Sequence, residues 1–151
     1  MPVRFGHVGL VSSNPDRLAR FYIDVFDCEI IGPRRELSGT PLSIGMGLAG
    51  ARVSGLHLRL PGHDQHGPVL EIFRLPEITH DDRQITRGGL MHLAFEVNDI
   101  GEALDRLLAS SGTRQGAISE IGVDGVGAAA FVYARDPDGN IVELQEWRGG
   151  Q

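Results

Sequence analysis

Two stretches of this chain read alike, and that likeness limits the fold more than any bulk property. HVGLVSSNPDRLARFYIDVF begins at His7, and HLAFEVNDIGEALDRLLASSG begins at His92. Each opens as a strand headed by histidine, breaks at polar residues and continues as an amphipathic helix. In the first helix Asn14 is placed to cap and Pro15 suits the first helical position, while Leu18, Phe21, Tyr22 and Val25 recur at helical spacing. In the second, Asp99 and Glu102 form a capping-box pattern. Ile100, Ala103, Leu104, Leu107 and Leu108 make the apolar stripe, and Gly112 ends it.

The halves also close alike. PVLEIFRL (68–75) and NIVELQEW (140–147) are strand patterns with a glutamate near the middle. The second follows Asp136-Pro137-Asp138-Gly139-Asn140, a cluster that favours chain reversal. Further strand-like runs lie at 28–31, 42–48 and 53–60, and again at 117–121 and 128–134. Each half therefore reads β-α-β-β-β. The expectation is an α+β fold in a single domain over 1–151, with module 1 at 1–75, a polar linker at 76–88 and module 2 at 89–147. One helix cannot cover both faces of a sheet, so the second face must be buried elsewhere or line a cavity.

One histidine and one glutamate recur at matching places: His7 and Glu71, then His92 and Glu143. Side chains alternate faces along a strand. Val69, Glu71 and Phe73 thus share a face, as do Leu90, His92 and Ala94, and as do Ile141, Glu143, Gln145 and Trp147. A carboxylate among apolar neighbours is costly without a partner. If the modules pair about a pseudo-twofold axis, the four donors converge. Two imidazoles and two carboxylates suit a divalent transition metal, whose charge they balance. Octahedral coordination would leave two positions for water or substrate oxygens.

Bulk properties narrow the alternatives. The net charge of −6 argues against nucleic acid as a partner. All 14 positive side chains are arginine, which excludes Schiff-base chemistry, a lysine base and a phosphate-loop lysine. No apolar run approaches the roughly 20 residues that span a bilayer. Cys28 is the one cysteine, so no internal disulfide is expected, and a cytoplasmic setting follows. The chain starts directly on a strand-like pattern, without a signal-peptide apolar region. Cys28 reads as a buried hydrophobe. His57 falls outside the repeat and reads as a core or surface residue, and His63, His66 and His80 fall in loops. Gln145 shares a face with Glu143 and is placed to contact it or a substrate.

HVGLVSSNPDRLARFYIDVFDCEI resembles the module opening, and FVYARDPDGNIVELQEW the closing signature, of the vicinal oxygen chelate superfamily. That group includes glyoxalase I, methylmalonyl-CoA epimerase, extradiol dioxygenases, and fosfomycin- and bleomycin-resistance proteins. The resemblance implies paired βαβββ modules forming a cupped mixed sheet. It also implies a divalent metal such as Ni, Zn, Co, Mn or Fe, a small-molecule substrate chelated through adjacent oxygens, and a homodimer. His7, Glu71, His92 and Glu143 match a ligand set with one glutamate per module, as in glyoxalase I. The implied activity is that of a glyoxalase- or epimerase-like lyase or isomerase, with proton transfer through a metal-stabilised enediolate. Glu143 is the first candidate for the base and Glu71 the second. The alternatives are an extradiol dioxygenase and a non-catalytic protein that binds a drug or metabolite.

Two departures bear on the substrate. Val8-Gly9-Leu10-Val11 lacks the arginine with which glyoxalase I grips glutathione, and Ile72-Phe73-Arg74-Leu75 lacks the usual asparagine. Arg34 and Arg35 come nearest to a basic cluster for phosphates and read as a solvated pair. Pocket walls are expected from 42–48 and 128–131, which suits a mostly apolar substrate with a small chelating group.

Overall fold

In a computed structural model, residues 2–149 are described; Met1, Gly150 and Gln151, at the ends of the expected domain, lie outside them. The chain forms two compact units that meet in sequence at His80 and Asp81.

In the first unit, Asn14 Oδ1 accepts from the Arg17 amide at 3.1 Å. Helix α1 (Pro15–Phe26) starts there, with Pro15 in its first turn, and ends at Asp27 in the left-handed region. Its buried stripe includes Leu18, Phe21, Tyr22 and Val25. The stripe packs on β3 (Arg52–Arg59) and β4 (Val69–Arg74). Leu56 pairs with Ile72 and Leu58 with Leu70 across this antiparallel ladder, and all four are buried. Burying each such side chain stabilises the fold by about 1.5–3 kcal/mol. β1 (His7–Val11) runs parallel to β4 on its other edge, and β2 (Glu29–Ser38) runs antiparallel to β3. The order is β1-β4-β3-β2.

Two expectations fail here. The 28–31 run is only the start of β2, which continues through a register shift between Ile31 and Arg35. Residues 42–48 do not form a strand. Thr40–Met46 is a short helix, α2, opened by Pro41 and closed by Gly47 at φ 65°. The alternation Leu42-Ser43-Ile44-Gly45-Met46 imitates a strand period, but β2 already occupies the edge of β3. The capping residues decide the outcome. None of the α2 residues is buried.

The second unit repeats the plan. β5 (Leu93–Glu96) lies parallel to β9 (Ile141–Arg148), and β9 antiparallel to β8 (Gly127–Arg135). The far edge of β8 is shared by β6 (Thr113–Arg114) and β7 (Ser119–Val123). Helix α3 (Ile100–Ala109) packs on β9 and β6. Asp99 caps it by accepting from the Glu102 amide at 2.9 Å, and Glu146 Oε2 accepts from the Ile100 amide at 2.9 Å. Gly112 follows the helix, where a Cβ would lie 2.4 Å from Leu107 Cδ2 and 2.9 Å from the Arg135 carbonyl oxygen. A larger residue has no room there.

The result is an α+β fold of two mixed sheets built from βαβββ-like modules. In each, the first and last strands are parallel neighbours, and the outermost strand is interrupted: by the register shift in β2, and by the gap between β6 and β7. No helix among the described residues is long and apolar enough to cross a membrane.

Candidate functional site

In the first unit the alternation of β4 turns Glu71 away from α1. Its register partners are Gly9 on β1 and His57 on β3. His57 Nε2 lies 2.7 Å from Glu71 Oε2, and His7 Nε2 lies 3.8 Å from the same oxygen. An ionised carboxylate only accepts, so His57 donates from Nε2. Its Nδ1 is then left buried without a partner. Phe73 stacks edge-on against the His57 ring at 5.7 Å. His7 is more exposed, with 55% of its side chain open to solvent. A Cβ on Gly9 would sit 3.8 Å from Glu71 Oε1, an ordinary contact distance.

In the second unit Glu143 sits between Ala94 on β5 and Tyr133 on β8. The residue is 7% exposed. His92, one position before β5, places Nε2 at 2.9 Å from Glu143 Oε2. Gln145 Nε2 donates to Glu143 Oε1 at 3.0 Å, and Trp147 Nε1 donates to Gln145 Oε1 at 3.1 Å. The indole can only donate, so it fixes which end of the Gln145 amide faces Glu143. The expected contact between Gln145 and Glu143 is therefore present. Tyr133 lies edge-on to His92 at 5.0 Å, and Phe131 to Tyr133 at 6.1 Å. Burial, and then the Glu143 charge, push the Tyr133 hydroxyl above its ordinary pKa.

The turn before β9 sets the register of this carboxylate. Asp136 Oδ1 accepts from the amides of Asp138 at 3.0 Å and Asn140 at 2.9 Å, and Oδ2 accepts from Asn140 Nδ2 at 2.8 Å. Arg135 donates to the carbonyls of Gly139 at 2.9 Å and Arg83 at 2.8 Å, and Arg83 donates to Asn140. The acid-rich turn is thus a brace for the strand that carries Glu143.

The four sequence-derived candidates are present as two pairs, one per unit: His7 with Glu71, and His92 with Glu143. Among the described residues, no group of three or more His, Cys, Asp or Glu side chains is gathered to hold a metal ion. The donor chemistry of each pair does suit a divalent cation. His92 and Glu143 are the closer pair, at 2.9 Å. The His7–Glu71 pair is wider.

His57, read from the sequence as a core or surface residue, instead meets Glu71 as its register partner, and Tyr133, which the sequence did not single out, is the register partner of Glu143. Strand parity alone could not find them, because pairing depends on where each hairpin turns. Arg34 holds Asp16 at 2.7 Å and Glu36 at 3.4 Å, as suits a surface residue. His66 stays within its loop, its amide bonded to Asp64. Cys28 is buried, and its thiol is pushed up to about 12, mainly by burial.

Residues 4–144 match the family described as the glyoxalase/bleomycin resistance protein/dioxygenase superfamily. The chain belongs to this superfamily. Within the superfamily it is 24% identical over 143 residues to the mitochondrial methylmalonyl-CoA epimerase of Dictyostelium discoideum, covering 95% of this chain and 78% of that one. A glyoxalase family protein from Bacillus cereus shares the fold with a TM-score of 0.83 at 21% identity, over 99% of this chain and 97% of the other. The fosfomycin resistance protein FosX from Listeria monocytogenes has a TM-score of 0.59 at 16% identity, over 100% and 96%. A variant of FosX was solved with Mn(II) and a dihydroxypropylphosphonic acid, with a TM-score of 0.57 at 15% identity, over 98% and 95%.

Proposed function

We propose that this chain is a divalent-metal-dependent lyase or isomerase of the superfamily. It moves a proton at a carbon beside a carbonyl, in a small substrate with oxygens on neighbouring carbons. The observation that carries this reading is the His92–Glu143 pair. Glu143 is 7% exposed, and its side-chain partners on its own sheet are a histidine and an amide. Neither need carry a charge, and a buried carboxylate without a counter-charge is costly. A divalent cation supplies that charge. His7, Glu71, His92 and Glu143 are the assigned ligands, one His–Glu pair from each unit, within one chain or between two chains of a homodimer. The metal is one of Ni, Zn, Co, Mn or Fe. When bound, it would polarise the substrate carbonyl as a Lewis acid and acidify the adjacent C–H.

The chain's own groups divide the remaining work. Gln145, fixed by Trp147, holds Oε1 of Glu143 and so aims the carboxylate. Glu143 takes the proton, with Glu71 as the second base. Tyr133 presents an aromatic ring beside His92, and Phe131 packs edge-on against Tyr133. The epimerase relative favours a thioester substrate, and the Mn(II) complex of FosX supports metal use within this fold.

Metal analysis of the purified protein tests the reading first. About one equivalent of divalent metal per ligand set is expected, and His92→Ala or Glu143→Gln should remove most of it. Deuterium uptake from D₂O at the reactive C–H of methylmalonyl-CoA and of 2-oxoaldehyde hemithioacetals then tests the chemistry. A metal-free protein with no exchange on either class would overturn the proposal. Full exchange by Glu143→Gln would remove Glu143 from the role of base.

A further inference from the structure

Direct cross-strand partners place their side chains on one face. Glu36 pairs with Ser54, Ser38 with Arg52, and Ser54 with Arg74. These five therefore share the face of the first sheet that carries Leu56, Leu58, Leu70 and Ile72, the face opposite His57 and Glu71. At the end of that face lies an open cavity of about 520 Å³, rimmed by Leu37, Leu75 and Pro76.

Arg52 and Arg74 are diagonal neighbours across the β3–β4 ladder, within reach of one another through their long side chains. Neither has an ion pair or side-chain hydrogen bond among the described residues. By contrast Arg34, Arg59, Arg87 and Arg148 each hold an acid. The chain has a surplus of acids, with a net charge of −6, yet among the described residues none is placed on these two guanidiniums. Neighbouring like charges repel unless an anion lies between them. Glu36, the one acid in the lining, is drawn off by Arg34 Nε at 3.4 Å. Ser38 and Ser54 add hydroxyl donors to the same cavity.

We propose that this cavity binds the carboxylate or phosphate group of an organic anion, held between Arg52 and Arg74, with its apolar part against the Leu37–Leu75 rim. Planar guanidiniums offer two-point hydrogen bonds to either group. Arg52 and Arg74 lie on the opposite face of the sheet from Glu71, and the proposal does not depend on the metal-enzyme reading.

Calorimetric titration of the whole protein with hexyl phosphate, hexanoate and hexanol tests it. Saturable binding of at least one of the two anions is expected, weakened by added salt. Arg52→Gln and Arg74→Gln should each reduce the affinity about tenfold, and Glu71→Gln should leave it unchanged. Which anion binds identifies the head group. Both arginines are exposed, so the variants should melt as the parent does, and that control is run alongside. Anions that bind no better than hexanol, or a double arginine variant that binds as tightly as the parent, would overturn the proposal.

Discussion

His57 and Glu71 are direct register partners across β3 and β4, with 2.7 Å between His57 Nε2 and Glu71 Oε2. The contact joins a candidate ligand to a residue of the adjacent strand. It leaves the other ring nitrogen of His57 buried and unpartnered.

Replacing His57 by Phe keeps a ring against Phe73 but removes the donor to Glu71. A loss of about 1–3 kcal/mol is expected for an uncompensated, mostly buried acceptor. His57→Gln, which retains a donor, should recover much of it. Urea unfolding at neutral pH checks both, and equal losses from the two variants would assign the effect to packing alone.

Gln145 offers a second test. Gln145→Leu preserves size but strips Glu143 Oε1 of its hydrogen bond and leaves the Trp147 indole without its acceptor. Stability should fall by about 1–3 kcal/mol. Under the proposed function, metal affinity should fall about 10–100-fold, the usual consequence of losing a group that orients a ligand. Equilibrium dialysis against a competing chelator measures the second effect separately from the first.

Cys28 predicts a pH dependence. Its thiol has a pKa of about 12 in the folded protein, against 9.0 for an ordinary thiol. The neutral form is favoured by folding, so this contribution is fully present below pH 9.0. It declines as the pH rises toward 12, because the unfolded thiol ionises first. Cys28→Ala should flatten the alkaline arm of the stability curve, at the expense of a small cavity. At pH 8 a thiol reagent should label the folded protein only as fast as it opens.

The repeated helix caps should respond alike. Asn14→Ala removes the acceptor for the Arg17 amide, and Asp99→Ala the acceptor for the Glu102 amide. Each should cost about 1 kcal/mol. The sites are in separate units and share no partner, so thermal melts of the double variant should show additive losses.

Helices α1 and α3 and the inner strands were legible in the sequence because local signals specify them. Asn14-Pro15 and Asp99 mark helix starts, and period-two patterns mark β3, β4, β8 and β9. The His–Glu pairs were visible only because the pattern occurs twice. What the sequence did not disclose depends on register or on edges. His57 and Tyr133 became partners of Glu71 and Glu143 through hairpin register, which no single strand encodes. The 42–48 run alternates like a strand, yet the neighbouring edge of β3 is taken and Pro41 and Gly47 frame a helix instead. The outer strands are interrupted, so their length could not be read from apolar runs.

In both units the opening strand closes against the final one, and every strand-to-strand bond is satisfied inside its own half. A break between His80 and Asp81 therefore severs no ladder. Recombination at that point would exchange a whole cassette, with its helix and its His–Glu pair together.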